Sequence, residues 1–384
     1  MSREPLWAEG EGWTLEPTPD FRIGGIEDLD GSGPLFSAVR DIAVAPDGVI
    51  LISDAFLGSV SVFDRTGSYL RTLGKRGEGP GEFSWGPGSV FPCTDGTVIV
   101  LGGGGLSRFD TGGEYLSRSL TRIGTATFGV VGATRDCTRF LVHQRGPGPA
   151  EGEQGLSYRT ISWADPSFTR LDTIGIVPVA EMFRGGGEIA PNGMVVPWSS
   201  GHFNFGVAGE DAVAGWGGHP EVKVYSEGPA PRKIIRWNAP ARPVTRADRN
   251  EYENQRRRYI AGFGNNEETR LIFPPLGDFR SLPEVKPYFD GLMTDAEGRI
   301  WLRHWPEDYV GLASTLPSAP GQDDGGWWDY TWTVLDADGR WLGELEMPSR
   351  FQLMDATDDR VYGVELDSLD VPTVAAYRIV KPGG

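Results

Sequence analysis

Residues 39–67 read VRDIAVAPDGVILISDAFLGSVSVFDRTG. Two apolar runs, 42–44 and 49–52, flank Pro46-Asp47-Gly48. Asp-Gly between short apolar segments marks a tight turn, because glycine takes positive φ at little cost. A third run, 60–63, ends in Phe63-Asp64 and a second glycine turn at Gly67, after which 68–73 alternates polar and apolar residues. The stretch therefore reads as four short strands joined by turns. Residues 89–96, 97–101 and 106–112 repeat the same order, again with Asp-Gly after the first strand and Phe-Asp before a glycine after the third.

The unit continues along the chain. Third-strand endings recur at 222–228 and 332–339, each followed by a further strand, at 232–237 and 341–345. The first hairpin recurs at 295–302 and 358–363, and a weaker copy spans 127–176. A four-stranded unit of roughly 40–50 residues, repeated about six times, indicates an all-β fold, a six-bladed β-propeller. The expected blades are 38–83, 85–121, 125–177, 200–237, 288–346 and 350–380, within a single domain, 1–384. The last has three strands, so the N-terminal stretch 13–23 is expected to supply its outer strand and close the ring.

The strings IAVAPDG at 42–48, VFDRTGSYL at 62–70 and LGKRGEGPGEF at 73–83 resemble an NHL-type repeat. More closely, the chain resembles a bacterial group of six-bladed β-propellers of this type. Blade one fits well, blades two and five fairly, and blades three and four poorly. The group consists mostly of exported proteins without an assigned activity, so the resemblance implies a fold far more than a function.

Residues 71–83, RTLGKRGEGPGEF, admit two readings: a phosphate-cradling loop or a connector between blades. A phosphate loop needs Lys-Ser or Lys-Thr opening a helix. Lys75 is followed by Arg76-Gly77, and no helical pattern follows Phe83. The connector reading is preferred, with Lys75 and Arg76 projecting from the face.

The chain has 384 residues, with 55 glycines, 29 prolines and a net charge of −17. Such acidity repels phosphate backbones, so nucleic acid is not expected as a partner. No apolar run approaches the ~20 residues of a membrane span. The start, MSREPLW, lacks the apolar core of a signal peptide, so the sequence reads as soluble, either cytoplasmic or exported with its leader removed. Two cysteines, Cys93 and Cys137, are too few for a disulfide framework. They align in equivalent turns of neighbouring blades. Separate thiols are the default expectation, because a bond needs Cα atoms within ~7 Å; a bond would point to an oxidising compartment.

Three segments exceed what blades need: 176–200, containing Arg184; 239–287, whose core at 244–260 reads as a helix capped by Thr245 and Asp248; and 304–328. Second-to-third strand loops and blade crossings share one face of a propeller, here called the upper face, so all three gather there. The expected partner-binding residues are Lys75, Arg76, Arg184, Arg256, Arg257, Arg258, Trp305 and Trp327, with both tryptophans exposed. Of the four histidines, His143, His202, His219 and His304, all but His202 follow a second strand; hydrogen-bonded or surface histidine is preferred over a metal site. Asp41 and Asp54 facing the channel are weighed against structural roles, which are preferred. No Gly-x-Ser-x-Gly elbow is present. No catalytic residue, cofactor or metal is assigned.

The sequence therefore points to a non-enzymatic scaffold presenting its upper face to a protein partner, as an extrinsic subunit of a membrane-associated complex would. The alternative is a lyase, lactonase or hydrolase with a polar or metal site at the channel mouth. Convergent polar groups at that mouth favour the enzyme; an exposed patch of aromatic and arginine side chains favours the scaffold.

Overall fold

Alternation along the second strand of blade one sets the packing rule for the ring. Ile50 and Ile52 point to one side of their sheet and join the cluster shared with blade six, while Leu51 points to the other and joins the cluster shared with blade two. A strand whose side chains are buried on both faces reads as an unbroken apolar run, which is what 49–52 shows. The computed structural model describes residues 4–7, 11–24, 33–184, 194–195, 204–262, 282–306, 330–366 and 371–382.

Within these residues the sheets form six antiparallel blades. Blade one comprises Val39–Val44, Ile50–Asp54, Ser59–Phe63 and Tyr69–Leu73. Blade two comprises Pro87–Pro92, Val98–Gly102, Gly105–Phe109 and Tyr115–Leu120. Blade three comprises Gly129–Ala133, Phe140–Arg145, Gln154–Ala164 and Leu171–Phe183, with Met194–Val195 added at its edge. Its fourth strand thus runs past the 125–177 expected for this blade and into the segment read as excess. Blade four comprises Phe205–Ala208, Asp211–Gly215, Glu221–Tyr225 and Lys233–Arg236, and blade five Gly291–Thr294, Ile300–Arg303, Thr331–Leu335 and Trp341–Glu346.

Blade six is built from Phe351–Ala356, Arg360–Leu366 and Pro372–Val380, and Thr14–Leu15 and Phe21–Ile23 pair with its third strand. The N-terminus therefore closes the ring, as expected. Asp20 fastens this closure by pairing with Arg360 at 2.8 Å and Arg378 at 3.1 Å. Apolar clusters fill the seams between neighbouring blades all the way round.

The inserted helix spans Arg246–Gly262. Thr245 caps it: the Asp248 backbone N–H donates to Thr245 Oγ1 at 3.2 Å, and the Thr245 N–H donates to Asp248 Oδ2 at 2.7 Å. Among the described residues no helix is long and apolar enough to cross a membrane.

Cys93 and Cys137 form a disulfide, with Cα atoms 5.5 Å apart, so the default of separate thiols does not hold. The two turns lean together because the Thr94 N–H donates to the Arg135 carbonyl at 2.9 Å.

Candidate functional site

The loop after the second strand of blade one is organised by Asp54. Its carboxylate is fully buried and accepts four backbone N–H groups, from Ser37, Ala38, Phe56 and Leu57, each at 2.8 Å. One side chain thus fixes both the strand leading into blade one and the loop at its upper end. The role of Asp54 is structural rather than channel-facing.

The connector between blades one and two packs onto this loop. Lys75–Arg76 pairs in parallel with Glu82–Phe83. Glu82 accepts the Gly79 N–H at 2.9 Å and meets Lys75 Nζ at 3.2 Å; these contacts, the Gly79 bond first, hold its pKa below the usual value. Arg76 donates to the carbonyls of Ala55 and Phe56 at 2.8 and 3.0 Å. Gly86, at φ +82°, lies so close that a Cβ would sit 2.6 Å from the Ala55 carbonyl oxygen. Only glycine fits that approach. The chain neighbours of these two contacts are Phe56 and Trp85, which are 69% and 84% exposed. Two large apolar side chains therefore stand in solvent on a loop held by hydrogen bonds and close backbone packing.

The axis holds a second set of polar groups. A cavity of 460 Å³ is lined by first-strand residues of all six blades, including Ile42, Val90, Val131, Val207, Thr294 and Met354, and by Pro46, Pro92, Arg135 and Glu297 at its lower end. Asp41 and Asp355 line it as well. Asp41 accepts the Val90 N–H of blade two at 2.8 Å, and Asp355 accepts the Val44 N–H of blade one at 2.7 Å. These carboxylates staple adjacent inner strands. Burial pushes Asp41 up to about 7 and Asp355 to about 8, outweighing the N–H bonds that favour their charged forms.

The remaining expected residues are dispersed. Arg184 is exposed at the end of the fourth strand of blade three, where its backbone pairs with Gly152 and Glu153. Arg257 and Arg258 pair with Glu253 at 3.1 Å and Glu251 at 2.7 Å, on their own helix. Trp305 is 1% exposed, contrary to the exposure expected of it. Its carbonyl accepts from Arg242 at 2.7 Å, and this bond fixes its segment against the chain leading to the helix. The side chain of Arg256, together with Trp327 and His202, lies outside the described residues.

The three described histidines do not converge. His143 packs near Phe205, His219 edges against Trp216, and His304 shares a 2.8 Å hydrogen bond with Thr333. Burial first, and a neighbouring arginine second, lower His143 and His304 to about 4, so both are neutral near pH 7. Among the described residues no group of three His, Cys, Asp or Glu side chains is arranged to hold a metal.

Phe56 and Trp85 were missed in the sequence reading. The available signal was position: each interrupts a glycine-bearing loop where no strand alternation requires an apolar residue.

No family model and no curated protein matches this sequence. Solved structures do. A candidate exported protein from Bacteroides fragilis NCTC 9343 is 12% identical, with 99% of this chain and 98% of that one covered at a TM-score of 0.49. A member of the DUF4221 family from Bacteroides vulgatus is 10% identical, with 97% and 99% covered at 0.48. A streptogramin B lyase is 6% identical, with 98% and 100% covered at 0.42. Similarity at this level does not bear on what the chain does.

Proposed function

We propose that this chain is a non-enzymatic interaction scaffold that presents the upper rim of its first two blades to a protein partner. The observation that carries the reading is the pair Phe56 and Trp85, exposed at 69% and 84% on two loops packed against each other. Solvated aromatics beside arginine have the composition of binding hot spots, and a preorganised loop loses little entropy on docking. The repeat is taken as NHL-like, from the strings at 42–48, 62–70 and 73–83. The disulfide between Cys93 and Cys137 supports an oxidising, extracytoplasmic setting, where the scaffold would serve as an extrinsic subunit of a membrane-associated complex.

The enzyme reading has one observation in its favour, the raised carboxylates Asp41 and Asp355 in the axial cavity. Each already accepts a backbone N–H from the next blade, so a structural role accounts for both. Amide hydrogen exchange with and without the co-purifying protein tests the scaffold reading. Slowed exchange over 54–59 and 74–86 is expected. Slowing confined to the lower-face turns, with these loops unchanged, would contradict it.

A further inference from the structure

The arginines of this protein differ in what they bond. Many of those away from the upper rim of blades one and two meet carboxylates: Arg108 meets Asp95 at 2.5 Å, and Arg139 meets Glu210 at 2.9 Å. On the upper rim of blades one and two they do not. Arg76 uses two of its five N–H groups on the carbonyls of Ala55 and Phe56. Arg118 donates to the carbonyls of Glu82, Gly102 and Gly103. Arg40 is exposed one residue past Val39, the pairing partner of Asp54, and makes no hydrogen bond or ion pair with another described residue. Carbonyl oxygens bear no net charge, so these guanidinium charges are left uncompensated. Lys75 is balanced by Glu82, and Glu78 is an exposed carboxylate in the same connector. Among these described residues, the cations Arg40, Lys75, Arg76 and Arg118 outnumber the carboxylates Asp54, Glu78 and Glu82 by one, on a chain whose net charge is −17.

We infer that this rim docks an extended acidic segment of a partner protein. The inference rests on the scaffold reading above and adds the chemistry of the partner. Carboxylates of the segment pair with Arg40, Arg76 and Arg118, and an apolar side chain between them packs on Phe56 and Trp85. The guanidinium fork matches a carboxylate with two parallel bonds, and flanking aromatics exclude the water that would weaken them. A nucleic acid or an anionic bilayer is a poorer fit, because its continuous charge would extend past the rim over the acidic remainder of the molecule, whereas a short acidic segment need not.

The test is photocrosslinking of the full chain with p-benzoylphenylalanine in place of Trp85, in extract from the native source, followed by sequencing of the crosslinked peptides. The expected peptides carry several Asp or Glu residues around an apolar one. Arg40→Glu is expected to reduce their yield at least about tenfold, while Arg40→Lys restores most of it. Because the Arg40 side chain is exposed and makes no hydrogen bond or ion pair with another described residue, its variants are expected to melt like the parent. Crosslinks to neutral or basic peptides, to lipid or to this same chain would overturn the acidic-segment inference and leave the scaffold reading standing. A partner that co-purifies without crosslinking at position 85 would overturn the rim as the site. Failure to recover any partner would overturn the scaffold reading itself.

Discussion

Asp54 shows how one carboxylate organises a surface. Its four N–H partners lie on two chain segments, 37–38 and 56–57, and it is fully buried beneath them. A hydrogen bond to a charged acceptor contributes about 1.5–3 kcal/mol, and neighbouring bonds are not additive. Asp54→Ala is therefore expected to destabilise the fold by about 3 kcal/mol in urea denaturation, whereas Trp85→Ala, removing an exposed ring, should stay within about 0.5 kcal/mol. Equal effects from the two variants would show that the loop is not held by Asp54. This role was not legible in the sequence, because the Ser37 and Ala38 donors meet Asp54 only once the blade has formed. Trp85 was more accessible to inference, since it stands between Phe83 and Gly86 in a connector with no strand pattern of its own.

At the scale of elements, two turns explain why blade three was hard to read. The first turn of blades one, two and five ends in glycine at positive φ: Gly48, Gly96 and Gly298. In blade three that position is Cys137, at φ 55°, and in its third-to-fourth turn Phe168, also at φ 55°, stands where Gly67 and Gly113 stand in blades one and two. The turns kept their shape while losing the residue that announces them. Cys137 gives its place to the disulfide, and Phe168 packs into the seam with blade two. The helix was legible because Thr245 and Asp248 mark its start locally. The inner strands carry a pH dependence. Asp41 at about 7 and Asp355 at about 8 retain protons in the folded chain that an unfolded carboxylate releases near ~4. Their favourable contribution is full below about pH 4 and is lost as pH rises through 7 and 8. His143 and His304, lowered to about 4, act in the opposite sense, but only below their unfolded value of ~6.5. The melting temperature should therefore fall between roughly pH 6.5 and 8.5, and the double variant Asp41→Asn, Asp355→Asn should flatten that fall. The same slope in parent and variant would mean that these side chains are ionised throughout.

For the whole molecule, the ring assigns different work to its axis and its rim. Closure through Thr14–Leu15 and Phe21–Ile23 completes the outer edge of blade six, and apolar clusters fill the seams. The axial carboxylates join inner strands across those seams, from blade six to one and from one to two. The rim of blades one and two instead holds Phe56 and Trp85 in solvent beside arginines bonded only to carbonyls. The repeat pattern made the ring legible, because strand alternation and glycine turns are local signals. It could not show the division of labour, which depends on bonds between residues distant in sequence, such as Asp355 to Val44. The most direct test of the account compares how much partner protein co-purifies with the parent, with Phe56→Ala, Trp85→Ala, and with Asp41→Asn, Asp355→Asn, quantified by mass spectrometry. Losing one hot spot costs about 2 kcal/mol or more, so the rim variant should bind at least about 30-fold more weakly while the channel variant binds like the parent. Full recovery with the rim variant and loss with the channel variant would contradict the account and place the function at the axis.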